Sequence, residues 1–330
     1  MTNQMNRINE KLRHLKGGTF VTTDHPLGCT PVTTKDTGTG ITDTEKLYME
    51  SYELYPGISV SYNYYLASSF HIHHESFPSV LELNHCNRGR MGWEMKSGLS
   101  LYLGTGDMET HMKSSCAESD FSLPLRYYEG ITFSFDLEEL QKNPPAFLTG
   151  YLPQLSELKE KYCSNESTTG FTASNEIDAL FSMLYNLPED YIIPYCKIKC
   201  QEILLRLFLM SPPDKKQLSP LSSAQTALIN EIHELLTNNL KERHTIEDLS
   251  KKYLINTTSL KDAFKSVYGT PIAPYMKEYR LEYAARLLET TELSIAGIAD
   301  SVGYDNQSKF TSAFKNSFGL LPTAYRKNRT

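Results

Sequence analysis

The sequence predicts an α+β protein in two parts, an antiparallel β-sandwich with following helices and then an all-α part. Three observations carry that expectation. Between about Glu50 and Asp136, apolar and polar residues alternate in short runs separated by turn residues. From Leu137 to Met210 the spacing changes to three and four residues, as a buried helix face requires. After a proline-rich break, the remainder repeats itself at an offset of 49–50 residues.

The chain has 330 residues, enough for two cores, with 40% hydrophobic and 22% charged residues. No apolar run reaches the roughly 18 residues of a membrane span; the best, Ile203–Met210, contains Arg206. The first residues carry charge but no apolar h-region, and six cysteines (Cys29, Cys86, Cys116, Cys163, Cys196, Cys200) are scattered without a CxxC. Reduced thiols and a cytoplasmic location are expected, with no membrane partner. The net charge of −6 hides an asymmetry. From Leu221 onward there are 14 Lys/Arg against 12 Asp/Glu, leaving 19 against 27 before it. Two parts of opposite charge are suited to different partners.

Residues 1–45, rich in Thr, Gly, Asp and Asn, are expected to be loose. Residues 46–210 form the first domain. Its strands are Ser59–Tyr65, Val80–Cys86, Leu99–Asp107 and Gly130–Asp136, punctuated by glycines, Pro78 and Asn87. Residues 211–220, with three prolines, read as a linker, and 221–330 as the second domain. In that domain Ile246, Leu249 and Tyr253 recur as Ile295, Ile298 and Val302. Leu260, Phe264, Tyr268, Gly269 and Tyr275 recur as Phe310, Phe314, Phe318, Gly319 and Tyr325. Each copy, at about 245–269 and 294–319, is a short helix, a turn and a second helix. Asn256 and Asp305 stand where N-caps are wanted, and Gly269 and Gly319 where helices stop. One continuous helix joins the copies.

A short helix, a turn and a second helix with short polar outward residues is the helix-turn-helix pattern. Phe310, Phe314 and Phe318 bury one stripe, leaving Asn306, Gln307, Ser308, Thr311, Ser312 and Lys315 on the other faces. Hydroxyl and amide side chains let a helix sit close in a major groove. One such segment would more often be a solvated surface helix. Two in tandem, with matched core and stop positions, favour the DNA reading.

With these residues in hand, 221–330 resembles the DNA-binding domain of the AraC/XylS family of transcription regulators, down to the late Pro322-Thr323-Ala324-Tyr325-Arg326. The resemblance implies a regulator, an activator by expectation, whose two recognition helices enter successive major grooves of promoter DNA. RNA polymerase and a second copy of the chain are the other implied partners. A linking helix from Pro271 to Leu288 would span about 27 Å, which with its attached units suits a groove repeat of ~34–36 Å. Carried over by position, the first recognition helix presents Thr258, Lys261, Asp262 and Lys265. The second presents Gln307, Ser308, Thr311 and Ser312, with Lys309 and Lys315 near the backbone. Gln307 suits adenine and Lys261 guanine. Asp262 departs from the family pattern; it either accepts from cytosine N4 or repels phosphate.

The first domain resembles the family's sensor domains, which are cupin-like β-sandwiches with dimerising helices. That implies a small-molecule effector, of unknown identity, and no cofactor. Tyr62, Tyr64 and His73 are the ligand candidates, within a tyrosine group that also includes Tyr52, Tyr55 and Tyr65; tyrosine is also simply a good strand former. His71, His73 and His74 invite a metal reading, with Glu82, His85, Cys86 and His111 as further donors. A cupin site, however, wants a glutamate three or four residues after His-x-His. Glu75 comes too early and Glu82 too late, so no metal site is assigned. Cys196 and Cys200 share a helix face, as a thiol sensor or as ordinary buried cysteines. Ile203, Leu204, Leu207 and Phe208 are the dimerisation candidates, against packing on the protein's own sheet. No GxSxG, HExxH or phosphate loop is present, so an enzyme is not expected. The rival reading is a bifunctional protein, a metal-dependent cupin enzyme fused to a DNA-binding module.

Overall fold

A computed structural model describes residues 8–22, 45–73, 75–95, 98–116, 118–164, 168–173, 175–210 and 218–328. The chain divides into two compact units at Ser222/Ser223. The segments 1–7, 23–44 and 211–217, and with them most of the expected loose region and linker, lie outside the described residues.

The first unit is built on β1 (Thr19–Thr22), β2 (Lys46–Tyr55), β3 (Ile58–Leu66), β4 (Ser69–His73), β5 (Val80–Glu94) and β6 (Leu99–Gly104). It continues with β7 (Asp107–Met112), β8 (Glu118–Ser122), β9 (Tyr128–Asp136), β10 (Thr169–Thr172) and β11 (Leu221–Ser222). One sheet runs β1-β2-β3-β9-β5-β7-β10, and the other β11-β6-β5-β8-β4. The strand common to both is β5. Its first half pairs with β9 and β7, and Arg90–Glu94 pair with β6. The register shifts between Cys86 and Arg88, and a bulge of this kind bends a strand enough to change sheets. The sequence reading ended this strand at Cys86, because Asn87 and Gly89 look like a stop. Gly89 is in fact a requirement of continuation. At φ 83° a Cβ there would lie 2.1 Å from the Tyr127 carbonyl oxygen. The expected strand Leu99–Asp107 is two strands, β6 and β7, which turn at Gly106 (φ 78°) and pair with different halves of β5, the Gly104 amide donating to Asp107 Oδ2 at 2.8 Å.

Residues from the ends of the domain are drawn into this unit. Ile8 and Leu12 are buried, and Leu221–Ser222 pair with β6. Helices α1 (Leu137–Lys142), α2 (Leu152–Cys163), α3 (Asn175–Ser182) and α4 (Ile192–Leu209) follow the strands. The second unit contains α5 (Ser223–Asn238), α6 (Ile246–Lys252), α7 (Thr257–Tyr268), α8 (Ile272–Thr290), α9 (Ile295–Ser301), α10 (Gln307–Phe318) and α11 (Pro322–Lys327). Its core is Leu260, Phe264, Val267, Leu281, Ala284, Leu288, Ile298, Val302, Phe310 and Phe314. No helix among the described residues is long and apolar enough to cross a membrane.

Candidate nucleic-acid interface and first-unit cavity

The two repeats fold alike because the same chemistry closes their ends. Thr245 caps α6 through a capping box with Asp248, and Ser294 caps α9 by accepting from the Gly297 amide. Asn256 Oδ1 accepts from the Ser259 amide and Asn306 Oδ1 from the Lys309 amide, both at 2.8 Å. The second cap is thus Asn306, where Asp305 was expected. The offset of 50 from Asn256 points to Asn306, whereas Asp305 pairs with Arg243 at 3.5 Å. Both recognition helices have 12 residues and stop at a left-handed glycine, Gly269 (φ 80°) and Gly319 (φ 73°).

Each recognition helix is then fastened to the 19-residue α8 or its flanks by an aromatic clamp. Tyr275 packs on Phe264 and Tyr268, and its hydroxyl meets His233 Nε2 at 2.9 Å. Tyr325 packs on Phe314 and Phe318 and donates to Glu289 at 2.9 Å, while Arg326 donates to the Leu293 carbonyl at 2.6 Å. The late Pro-x-x-Tyr-Arg therefore acts as a brace that fixes α10 on its scaffold. Burial pulls His233 down to about 4, so it stays neutral beside Tyr275.

Away from this core, α7 and α10 leave the residues named from the sequence largely exposed. Thr258, Lys261, Asp262 and Lys265 are exposed on α7. Gln307, Ser308, Lys309, Ser312 and Lys315 are exposed on α10, and Thr311 is half-buried. Four lysines and five short polar groups, with one carboxylate, leave two faces able to meet phosphates and base edges.

The first unit holds a partly open cavity of about 90 Å³. Its polar wall includes Ser61, Asn63, Asn84 and Thr132, and its apolar wall Tyr65, Phe70, Trp93 and Phe121. Two of the ligand candidates, Tyr62 and Tyr64, do not line it, for a simple reason: strand neighbours face opposite sides. On β3, Ser61, Asn63 and Tyr65 line the cavity. Tyr62 instead donates to the Leu184 carbonyl and meets Cys196 Sγ at 3.4 Å. Tyr64 accepts from Lys11 at 2.7 Å and borders a separate hollow with Glu129 and Tyr185. The His73 side chain and His74 lie outside the described residues. His71 sits on the surface, 3.0 Å from Asp120.

A chain of buried polar contacts crosses the cavity wall. Asn63 donates to Thr132 Oγ1 at 2.8 Å, and Asn84 donates to Glu109 Oε2 at 2.7 Å. Glu109 Oε1 lies 2.7 Å from His111 Nδ1. His111 Nε2 lies 3.1 Å from Cys116 Sγ and 3.3 Å from Glu82 Oε2. Burial disfavours the imidazolium, yet Glu109 and Cys116 together hold His111 well above its ordinary value. Two buried polar atoms of the lining, Trp93 Nε1 and Asn63 Oδ1, have no hydrogen-bond partner. Cys116 had no sequence signal beyond its residue type.

The other expectations change with burial. Ile203, Leu204 and Leu207 are buried within their own unit and cannot be dimer contacts, and Phe208 is half-buried. The exposed stripe of α4 is Ile198 (64% exposed), Leu205 and Leu209 (83%). Cys196 and Cys200 share a face but are buried, and burial raises them to about 11 and about 12, far from reactive thiolates.

Two helix-turn-helix units braced on one helix define a class, the tandem helix-turn-helix proteins. Residues 249–328 match the family model described as a helix-turn-helix domain. The chain is 30% identical over 106 residues to the HTH-type transcriptional activator AarP of Providencia stuartii, covering 32% of this chain and 78% of that one. It belongs to the AraC/XylS family. It is also 28% identical over 132 residues to the HTH-type transcriptional regulator ExsA of Pseudomonas aeruginosa, covering 40% of this chain and 47% of ExsA. A putative AraC-like transcription regulator of Streptomyces lividans matches at 36% over 86 residues, 26% of this chain and 28% of that one. The chain thus spans about half of ExsA and about a quarter of the Streptomyces protein.

Proposed function

We propose that the protein is a ligand-responsive transcription regulator that reads promoter DNA with α7 and α10. The observation that carries this reading is the pairing of two capped, 12-residue helices on α8, each turning short polar and basic residues outward. At about 1.5 Å per residue α8 is about 28 Å long, commensurate with successive grooves on one DNA face. Lys261 and Gln307 read bases, and Lys265, Lys309 and Lys315 meet phosphates. Thr258, Ser308, Thr311 and Ser312 add hydroxyl contacts, and Asp262 sets discrimination at its position.

The cavity supports the responsive half of the reading. It is lined mostly by apolar groups with a few polar ones, and leaves one indole N–H and one amide oxygen for a small molecule to satisfy. The exposed stripe Ile198–Leu205–Leu209 supports a homodimer, with one apolar residue at i, i+7 and i+11 of α4. Activation through RNA polymerase and a cytoplasmic location follow from the same reading. The test is selection of bound duplexes from a random library, followed by affinity against salt. A recovered consensus with a salt slope of several units supports the reading; binding without sequence preference contradicts it.

A further inference from the structure

We propose that Glu82, His111 and Cys116 form a binding site for one divalent transition-metal ion of the zinc type. The ion's fourth position would face the cavity of the first unit. These donors are neither the His71–His74 segment nor a His-x-His pattern. They come together because the β5–β7 register sets Glu82 opposite His111, and a 3₁₀ turn (Lys113–Cys116) returns Cys116 to the same place.

The geometry suits an ion. One ligating atom from each residue lies within 4.8 Å of the other two. His111 Nε2 stands 3.1 Å from Cys116 Sγ and 3.3 Å from Glu82 Oε2. Tetrahedral ligands at about 2.1–2.3 Å from a metal stand about 3.4–3.6 Å apart, so the two distances from His111 need shifts of only a few tenths of an ångström. Two of the donors are also oriented from behind. The buried Glu109 carboxylate holds His111 Nδ1 at 2.7 Å and accepts from Asn84, which turns Nε2 towards Glu82 and Cys116. On Glu82, Lys113 and Ser134 lie on Oε1 at 3.2 Å each, while Oε2 is the oxygen facing His111. Lys113 can therefore stay in place when Oε2 ligates.

The donor set selects the ion. One sulfur, one imidazole nitrogen and one carboxylate oxygen favour zinc-type ions over magnesium or calcium, which prefer all-oxygen shells. Three protein ligands leave a fourth position for water or a small anion. That side of the site is the cavity, where Trp93, its ring 5.2 Å from that of His111, carries the unpartnered indole N–H. Ligation at Cys116 Sγ and His111 Nε2 needs both atoms deprotonated, so any proton they carry leaves to solvent as the ion enters. The binding claim stands apart from the DNA-reading proposal, since its readout needs no DNA.

The experiment uses the full chain without an affinity tag, stripped with chelator. Zn²⁺ is titrated in competition with a chromophoric chelator, and Co²⁺ by absorption spectroscopy. The expected result is one equivalent per chain and a thiolate-to-cobalt charge-transfer band, undiminished by millimolar Mg²⁺ or Ca²⁺. Cys116→Ser should abolish the band and weaken Zn²⁺ by ~100-fold or more, and Glu109→Gln should weaken it by about 10–100-fold. Cys200→Ser, on α4, should match the parent protein. A folded parent chain that binds neither ion at micromolar concentration overturns the proposal, and needs no variant to do so. So does a band retained by Cys116→Ser or lost in Cys200→Ser.

Discussion

The two helix-turn-helix units are alike wherever the backbone must be satisfied and unlike wherever DNA would be read. Caps (Asn256 and Asn306), stops (Gly269 and Gly319) and clamping tyrosines (Tyr275 and Tyr325) recur at a constant offset. The outward residues do not: Lys261-Asp262 at one helix stands where the other has Thr311-Ser312. Core geometry is constrained by packing, so divergence is greatest on the faces, and two such faces suit two different half-sites. The units also differ at the inner turn. Position 254 is a leucine at φ 51°, 94% exposed, where the second unit has Gly303 at φ 78°. Only the second is forced, because a Cβ on Gly303 would stand 2.2 Å from the Leu240 carbonyl oxygen.

The largest expected effect tests the shared core. Phe264→Ala and Phe314→Ala should each cost about 3–5 kcal/mol in denaturant unfolding, because both rings are fully buried. If either leaves the midpoint unchanged, the symmetry of packing fails.

Next comes a difference in clamps, since Tyr275 leans on His233 and Tyr325 on Glu289. Folded His233 is lowered from 6.5 to about 4. Above pH 6.5 its contribution is complete. As pH falls towards 4 the unfolded chain takes up a proton that the folded chain refuses, and stability declines by up to about 3 kcal/mol. His233→Gln should remove one proton from the pH slope of unfolding, and an unchanged slope would refute the assignment. His85, lowered to about 4 by burial and only partly restored by Asp178, adds a similar slope in the first unit.

On the faces, Gln307→Ala should cost about 1–3 kcal/mol on a selected site and spare random DNA. Lys315→Ala should weaken both alike and lower the salt slope by about one unit. Equal losses on both DNAs for Gln307→Ala would mean it contacts the backbone only.

At the turns, Gly303→Ala should destabilise by about 1–3 kcal/mol, while Leu254→Gly should stay within about 1 kcal/mol of the parent protein. A matched response would mean the two turns carry equal strain.

Much of the second unit was legible because its signals are local: a helix period, a cap three residues from its donor, a glycine at a stop. The first unit was legible in class and less so in detail. Gly89 reads as a stop in one dimension and as a bend in three. The facing of Tyr62 and Tyr64 turned on a one-residue alternation that fixes inside and outside only once β3 is paired. Ile203, Leu204 and Leu207 are as apolar as Ile198, Leu205 and Leu209, so which stripe of α4 is buried depends on what packs against it. Substituting Ile198→Glu and Leu209→Glu should therefore lower any self-association without unfolding, whereas Leu204→Glu should unfold the unit.

The central claim is that one chain reads two grooves with two different helices. A hydroxyl-radical footprint of the selected operator, made with the full chain, tests it most directly. The prediction is two protected patches on one face, about 10–10.5 base pairs apart. Lys261→Ala should fade one patch first and Gln307→Ala the other. A single protected patch, or two that fade together with either substitution, would contradict it.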